Sequence, residues 1–385
     1  QYFVRVQYGR PTMTIQYDPK GQRLHKNYGV VTASRLLVVA LGFIVCCTAS
    51  WLKLAQSKLN MEHRAIAGSG SSSGPLRMDY RILPTAQQTT TTKTTAAPVV
   101  RLIKPPPRPD DKTVALCACM REEEKNVDEW VDFHLGIGFA QIHIYDNTEL
   151  FELEQWAQER QEVFGDPITI THVPQHNAVQ RKVYRECAEK MYQAGHDYVA
   201  FWDVDEFLVI QNRTHYPHPM DLLLEQAPTG QLCVDMLVFG QAHRKTYEPI
   251  PVTKKFQFRT TEAYRMNQLT KCIVHMPSFN FSAKEFASPH YVPIKRPETK
   301  NHWAKRSDVR LYHYTFKSRM EHIRKYLKGS AWYKERKGYD EAREGKTPRG
   351  EKIPQGSIFD DTAWQILKRV APRYAFYDDF YKIPL

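Results

Sequence analysis

Short apolar runs alternate with amphipathic segments from residue 114 onward. The uncharged run Val114–Met120 predicts a strand buried on both faces of a parallel sheet. Asn126 and Glu129 predict a capping box at the start of a helix that Gly136 and Gly138 would end. Further strands are predicted at 141–145, 168–173 and 198–202, and further helices near 152–163, 178–193 and 318–337. This alternation predicts an α/β fold with an open, mostly parallel sheet and flanking helices.

The chain before residue 112 has a different pattern. Residues 36–52 form a run of seventeen residues without a charge, which predicts a short transmembrane signal-anchor. Residues 1–35 are basic and are therefore expected to stay in the cytosol. Residues 53–111 are rich in Ser, Thr and Pro and predict a flexible stalk. A cleaved signal peptide is the alternative for the apolar run. In both cases residues 112–385 would lie in a lumen, and the short span suits the thin membranes of the Golgi or endoplasmic reticulum.

Charge and cysteine content narrow the class of protein. Residues 1–111 carry 15 Lys and Arg against 5 Asp and Glu, so they hold most of the net charge of +12. The remaining chain is nearly neutral, which excludes a nucleic-acid-binding domain. Of the seven cysteines, Cys46 and Cys47 lie in the apolar run, and the remaining odd number leaves at least one free or bridging chains. Cys117 and Cys119 are expected in the core and not bridged to each other.

Three carboxylates follow the predicted strand 198–202. Asp203, Asp205 and Glu206 would lie at the carboxyl end of this strand, where an open α/β sheet binds its ligand. Asp203 and Asp205 can reach one cavity and hold a hard divalent cation, Mn²⁺ or Mg²⁺, with positions left for a diphosphate. The apolar residues on both sides would bury this segment, and unpaired buried carboxylates are costly. A cation site is therefore preferred over a surface turn.

The order and spacing of several segments form a specific pattern. These segments are 121–126, 129–130, 134–136, 144–147, 201–207, 238–240 with His243, 271–274 and 313–314. Together they resemble the metal-dependent GT-A glycosyltransferases of family 92. The resemblance covers roughly residues 112–335 and implies a nucleotide-binding part at about 112–210 and an acceptor part at about 211–335. A C-terminal extension would follow at 338–385, and it would either pack on the domain or face the acceptor.

The resemblance also implies roles for single residues. Asp203 and Asp205 resemble the pair that holds the metal and the sugar nucleotide, and His313 the histidine that completes the metal site. Asp146 resembles an acid that contacts uracil or ribose. Arg121, Gln180, Arg181 and Lys271 are further candidates for contacts to the nucleotide or its diphosphate, with a solvated role equally open.

The sequence departs from the family pattern at two places. Residues 121–126 replace a Lys-Asn-Glu element, and Gln241 and Ala242 separate His243 from the preceding glycine. The first difference puts the register of the nucleotide contacts in doubt.

The implied reaction is metal-dependent transfer of a sugar from a UDP-sugar to a glycan or polysaccharide acceptor, with inversion. Galactose is the sugar that the resemblance favours. Asp235, His243 and Glu206 are the candidate catalytic bases, and the sequence does not choose among them. Two other functions remain open: a membrane-tethered carbohydrate-binding or adhesion protein without catalysis, and a phosphatase with an Asp-x-Asp motif. Phe207 and the position of the motif within the domain disfavour the phosphatase.

Overall fold

The computed structural model describes residues 3–6, 13–16, 101–106, 108–174, 178–283, 286, 288, 290–296, 299–329 and 338–380. The chain divides into one unit of residues 1–93 and one of 94–385. In the first unit, β1 (Phe3–Val6) pairs antiparallel with β2 (Met13–Gln16). The predicted anchor at 36–52 and the predicted stalk up to residue 100 lie outside the described residues. None of the described helices is both long and apolar enough to cross a bilayer.

The second unit is built on a mixed sheet of nine described strands. In spatial order the main path is β5-β4-β3-β6-β10-β8-β12-β7, and β11 pairs with β8 beside β12. These strands are β3 (Val114–Met120), β4 (Gln141–Asp146), β5 (Ile168–His172), β6 (Tyr198–Phe201), β7 (Glu206–Ile210), β8 (Gln231–Val238), β10 (Thr270–His275), β11 (Asn301–Trp303) and β12 (Val309–His313). A short pair, β9 (Phe258–Arg259) with β13 (Ile358–Phe359), lies outside this sheet.

The prediction of an α/β fold is confirmed, and the sheet is parallel in its first half. β5, β4, β3 and β6 are parallel neighbours, and every residue of β3 is buried, as its apolar run predicts. The second half is mixed, because β10 runs antiparallel to both β6 and β8, and β12 runs antiparallel to β7. The sequence beyond residue 230 gives no strong periodic pattern, so it does not predict the individual strands of this half.

The link between β6 and β7 makes the sheet curl. Only residues 202–205 separate these strands, yet β6 is fourth and β7 last along the path of the sheet. So short a link requires the far edge of the sheet to return to the end of β6. Trp130 helps to hold this arrangement, since its indole Nε1 donates to the carbonyl of Glu206 at 2.8 Å. The curl brings the start of β7 and the end of β12 next to the end of β6.

The described helices flank this sheet. They are α1 (Glu124–Ile137), α2 (Glu154–Phe164), α3 (Gln180–Gln193), α4 (Pro219–Gln226), α5 (Val252–Lys255), α6 (Arg319–Leu327), α7 (Tyr339–Arg343), α8 (Thr362–Val370) and α9 (Tyr377–Phe380), with 3₁₀ turns at Arg265–Gln268, Met276–Ser278 and Pro372–Tyr374. The predicted helices near 152–163 and 178–193 are confirmed within two residues. The helix predicted at 318–337 is α6, which is shorter, and residues 330–337 are outside the described ranges.

The predicted capping box of α1 is wrong. The helix begins at Glu124, before Asn126, whose side chain instead donates to Glu123 Oε2 at 2.8 Å. Glu129 accepts hydrogen bonds from the backbone N–H groups of Val252 and Thr253, and so caps the distant α5. Of the two glycines predicted to end α1, Gly138 does so in the left-handed region at φ 117°, whereas Gly136 lies inside the helix. Glu129 thus bonds to residues that are distant in the sequence and not to the start of its own helix.

Two disulfides lie within the described residues. Cys117 of β3 is bonded to Cys187 of α3, and Cys233 of β8 to Cys272 of β10. Cys119 is free and buried. The predictions that Cys117 and Cys119 do not pair with each other and that a cysteine remains unpaired are both confirmed.

A buried ionic network joins both ends of the second unit to α1 and α2. Arg101 donates to Asp132 and, at 2.6 Å, to Asp166 just before β5, and Arg373 also binds Asp132. The network consists of three arginines and three aspartates: Arg101, Arg160, Arg373, Asp128, Asp132 and Asp166. Residues 338–380 of the C-terminal extension therefore pack on the domain, and Arg101 and Thr113 bind residues just before β5 and β6, where the parallel strands begin.

Candidate active site

The three predicted carboxylates lie in the corner between β6 and β7. The backbone N–H of Glu206 donates to the carbonyl of Asp203 at 3.0 Å, which closes a tight turn. The side chain of Glu206 accepts from the N–H of Asp203 at 2.9 Å. The N–H of Tyr314, after β12, donates to the carbonyl of Asp205 at 2.9 Å, and Glu206 is paired in register with His313. Backbone hydrogen bonds thus fix the positions of all three acids.

Asp203 is the most accessible of the three acids, with 42% of its side chain exposed. One carboxylate oxygen accepts from Lys271 Nζ at 3.1 Å and the other from Gln180 Nε2 at 3.0 Å. Desolvation would raise the pKa of the Asp203 carboxyl, but the charge and hydrogen bond of Lys271, together with the charge of His313, outweigh it and the pKa lies below its ordinary value. Asp203 is therefore an anion held between α3 and β10.

Asp205 is buried between β12 and α6. His313 Nε2 lies 3.5 Å from its Oδ1, and Lys325 Nζ lies 3.3 Å from its Oδ2. Desolvation would raise the pKa of this carboxyl, but Lys325 and His313 together hold it well below its ordinary value. The distance from its Oδ1 to His313 Nε2 is too long for a strong hydrogen bond, so these two atoms are neighbours that are only weakly bonded to each other.

Glu206 is fully buried and shares Lys271 with Asp203. Lys271 Nζ lies 3.1 Å from Glu206 Oε2, and the Lys271 side chain is 2% exposed. Burial raises the pKa of the Glu206 carboxyl despite the neighbouring ammonium. Its Oε1 has no hydrogen-bond partner among the described residues and lies 4.0 Å from His313 Nε2. Lys271 is thus the counter-ion of two adjacent acids.

Further lysines lie near the three acids, in the loop after β12 and in and just after α6. Lys317 and Lys328 both bind Glu123, at 2.6 and 2.8 Å, in the loop after β3. Lys325 also donates to Thr315 Oγ1 at 2.9 Å. The capping box of Ser318 with Glu321 fixes the start of α6 and so sets where these lysines project. The sequence showed a basic helix here but not that Lys325 reaches Asp205; the Ser318-x-x-Glu321 pattern was the available signal for the helix start.

The structure brings some of the predicted residues together and leaves others apart. Gln180, Asp203, Asp205, Glu206, Lys271 and His313 form one contact group. Arg121 is buried nearby and donates to Asn147 Oδ1 and to the carbonyl of Lys328. Arg181 is exposed on α3. Asp146 is completely buried, and its carboxylate accepts from Thr148 and from the N–H of Leu153. Its oxygens are thus used locally.

Neither Asp235 nor His243 contacts this group in the described part of the chain. Asp235 accepts from Arg306 Nε at 2.6 Å, and Arg306 lines a cavity of about 380 Å³ that includes none of the contact group. Strand alternation places Asp235 on the opposite face of β8 from Val234, the neighbour of Lys271 in β10. His243 is exposed, with φ 57°, and its N–H donates to Gln355. The contact group therefore contains Glu206 alone among the candidate bases.

The donor atoms at this edge suit a hard divalent cation, but the protein offers few of them together. Within the described ranges, no group of three or more His, Cys, Asp and Glu side chains is arranged as a metal site. Asp205 Oδ1 and His313 Nε2, 3.5 Å apart, can serve as two ligands. Mg²⁺ is commonly held by one or two carboxylates with the remaining positions taken by water and substrate phosphates. The pair fits a cation of this kind, and each Asp203 oxygen, which accepts a single hydrogen bond from Lys271 or Gln180, keeps a lone pair for a further contact.

Comparisons with known proteins give weak similarities. No protein family model matches the sequence, and no curated protein matches it either. S. aureus TarS 1–349 in complex with UDP is similar at a TM-score of 0.32 and 10% identity, over 52% of this chain and 60% of TarS 1–349. The complex of TarS 1–349 with UDP-GlcNAc gives a TM-score of 0.34 and 11% identity, over 52% of this chain and 58% of that one.

A third solved structure is that of a putative glucose-1-phosphate thymidylyltransferase from Bacillus anthracis in complex with sucrose. It has a TM-score of 0.27 and 11% identity, over 44% of this chain and 73% of the other. This chain thus spans less than two thirds of the TarS fragment in both complexes. At TM-scores near one third, none of these similarities carries a function over to this protein.

Proposed function

We propose that this protein is a metal-dependent glycosyltransferase that moves a sugar from a UDP-sugar to a glycan or polysaccharide. The observation that carries the proposal is the corner between β6 and β7, where Asp203, Asp205 and His313 meet Lys271 and Lys325. Carboxylates for a cation and ammonium groups for phosphates are what a nucleotide diphosphate requires. The resemblance of the sequence to family 92 supports the same reaction.

Asp205 and His313 would hold Mn²⁺ or Mg²⁺, with Asp203 adjacent. When bound, the cation supplies electrostatic stabilisation for the charge that develops on the leaving diphosphate. Lys271 keeps Asp203 and Glu206 ionised or hydrogen-bonded in place and maintains the geometry of the turn. Gln180 orients Asp203 from α3. Because the leaving group needs stabilisation rather than a covalent bond, no protein nucleophile is required.

The catalytic base is not assigned by the contacts of the three candidates. Glu206 is fully enclosed and already holds Lys271 and the N–H of Asp203, so its role in the proposal is structural. Asp235 is paired with Arg306. His243 is exposed, and its backbone N–H donates to Gln355, which is outside the contact group. Inversion and the choice of galactose rest on the resemblance alone.

The proposed location is the lumen of the Golgi or endoplasmic reticulum, with residues 36–52 as the membrane anchor. Two disulfides in the described residues support an oxidising compartment, where such bonds persist. The uncharged run and the basic residues before it support the orientation.

The test is a screen of the full chain against UDP-sugars, with released UDP as the readout, in Mn²⁺ and in excess chelator. We expect turnover that the chelator abolishes. Asp205→Asn should lower kcat/KM at least about 100-fold, because it removes charge where the cation and diphosphate bind. The matched control is His215→Ala, because His215 is exposed and forms its ion pair with the exposed Glu225. This variant should keep full activity. An Asp205→Asn protein of normal activity would contradict the proposal. Glycan binding without turnover of any UDP-sugar would favour the carbohydrate-binding alternative.

A further inference from the structure

The carboxyl edge of the sheet is balanced in charge without any ligand. We define the edge cluster as four acids and four lysines: Glu123, Asp203, Asp205, Glu206, Lys271, Lys317, Lys325 and Lys328. Each lysine lies within ion-pair distance of at least one of the acids. A divalent cation bound here on its own would leave an excess of positive charge at a partly buried site, which is unfavourable. A diphosphate arriving with it restores the balance.

Lys325 differs from the other lysines of the edge cluster in how it is held. Lys271 lies between two acids and is 2% exposed, and Lys317 and Lys328 share Glu123. The Lys325 side chain is 27% exposed and pairs with Asp205 at 3.3 Å, with the remaining bonds going to Thr315. Of the four lysines, Lys325 has the most exposed side chain, so it can rotate toward solvent with the smallest change in its own surroundings.

The partner of Lys325 is also the acid that faces His313. Asp205 presents Oδ2 to Lys325 and Oδ1 to His313. A cation held by Asp205 and His313 would therefore lie close to the Lys325 ammonium, and the two like charges would repel each other. Lysine is a common ligand of phosphate as a flexible point charge, so a displaced Lys325 has a new partner once a diphosphate is present.

We propose that Lys325 competes with the divalent cation for Asp205 in the nucleotide-free protein, and moves to the diphosphate when cation and nucleotide bind together. This inference rests on the proposed function and adds a mechanism of linked binding to it. It follows that Mn²⁺ alone binds weakly, and that Mn²⁺ and UDP strengthen each other's binding by the same factor. Lys325 is therefore a positioning residue: its movement from Asp205 to the diphosphate links the binding of the cation to the binding of the nucleotide.

The experiment measures Mn²⁺ binding to the full chain, from the loss of the free Mn²⁺ paramagnetic resonance signal, with and without UDP. Lys325→Gln should tighten the binding of Mn²⁺ alone about tenfold, within the usual range of coupling between sites. The same substitution should weaken UDP binding in saturating Mn²⁺ and reduce the mutual strengthening. Lys325→Arg keeps the charge and should bind Mn²⁺ alone as weakly as the wild type.

Arg324→Gln is the matched control, because Arg324 is the neighbouring cation on α6 and pairs with Glu122 at 2.9 Å. It should leave the Mn²⁺ affinity unchanged, and thermal unfolding of each variant verifies its fold. Equal or weaker binding of Mn²⁺ by Lys325→Gln would overturn the competition while leaving the proposed function intact. If the wild type binds no Mn²⁺ with or without UDP, both the proposed function and this inference fail.

Discussion

Hydrogen bonds and ion pairs at the carboxyl edge distinguish two acids that look alike in the sequence. Asp146 and Asp205 both follow a strand, and both looked available for a ligand. The carboxylate of Asp146 is used by Thr148 and Leu153 in its own loop, whereas Asp205 meets His313 and Lys325 from distant elements. The difference depends on loop geometry and on chain segments more than 100 residues away, neither of which the local sequence encodes. Residue type alone does not distinguish the two acids, whereas their hydrogen-bond and ion-pair partners do.

His134 gives a prediction about pH at the same scale. It is completely buried in α1, where its Nδ1 lies 2.8 Å from the carbonyl of Trp130. Desolvation lowers its pKa to about 3 despite this hydrogen bond. Because the unfolded histidine has a pKa of about 6.5, its contribution to stability is complete above that pH. The contribution is lost as the pH falls from about 6.5 toward 3, at about 1.4 kcal/mol per pH unit.

The measurement is the free energy of unfolding in urea at several pH values between 7 and 5. The wild-type protein should lose stability more steeply with falling pH than His134→Gln, which cannot be protonated. His215→Ala, at an exposed histidine, should keep the wild-type slope. Parallel slopes for the wild type and His134→Gln would show that His134 is not buried in its neutral form.

At the scale of elements, apolar runs predicted strands well and local caps predicted helix starts poorly. β3 and β6 were found from uncharged runs because burial on both faces demands them. The start of α1 was misplaced because Glu129 caps α5 instead, through contacts across more than 100 residues. The mixed half of the sheet was missed because charged residues interrupt its apolar runs: Asp235 in β8, Lys271 in β10 and Arg310 in β12. The sequence predicted that the three carboxylates follow the end of β6. It did not predict the curl of the sheet that brings β7 and β12 next to them.

The contact between α1 and α8 provides a test of element packing. A Cβ atom at Gly136 would lie 2.5 Å from the Cβ and Cγ2 atoms of Val370. In an isolated helix Gly to Ala is stabilising, by up to about 1 kcal/mol. Here Gly136→Ala should instead destabilise the protein by about 1–3 kcal/mol, because overpacking forces the helices apart. Denaturant unfolding followed by circular dichroism measures the change.

Gln158→Ala, at an exposed position of α2, is the control and should change stability by less than about 0.5 kcal/mol. A stabilised Gly136→Ala protein would show that α8 does not lie against α1 as described.

For the whole molecule, the ionic network makes the C-terminal extension part of the domain. Asp132 is completely buried and binds Arg101, Arg160 and Arg373, which come from three distant parts of the chain. The sequence left open whether residues 338–385 pack on the domain or face the acceptor, because its basic residues and its aromatic residues favour different surroundings. The three-dimensional arrangement of the acids and arginines could not be deduced from their spacing.

Arg373→Met should lower the free energy of unfolding by about 2–3 kcal/mol. The loss is somewhat below that for a fully buried pair, since 31% of the Arg373 side chain is exposed. Arg369→Met, at an exposed position of α8, is the matched control and should have little effect. Urea unfolding of the full chain measures both, and equal stability of the two variants would mean that Asp132 does not depend on the C-terminal segment.

The segment that leads into β3 joins the sheet at the ends of the strands that lie away from the carboxylates. Arg101 is bound to Asp166 just before β5, and Thr113 immediately precedes β3, so this segment reaches the strands at their amino ends. The carboxylates lie at the opposite ends, and a strand of seven residues such as β3 is about 23 Å long. A ligand bound at the carboxylates would therefore lie one strand length, about 23 Å, away from Arg101 and Thr113.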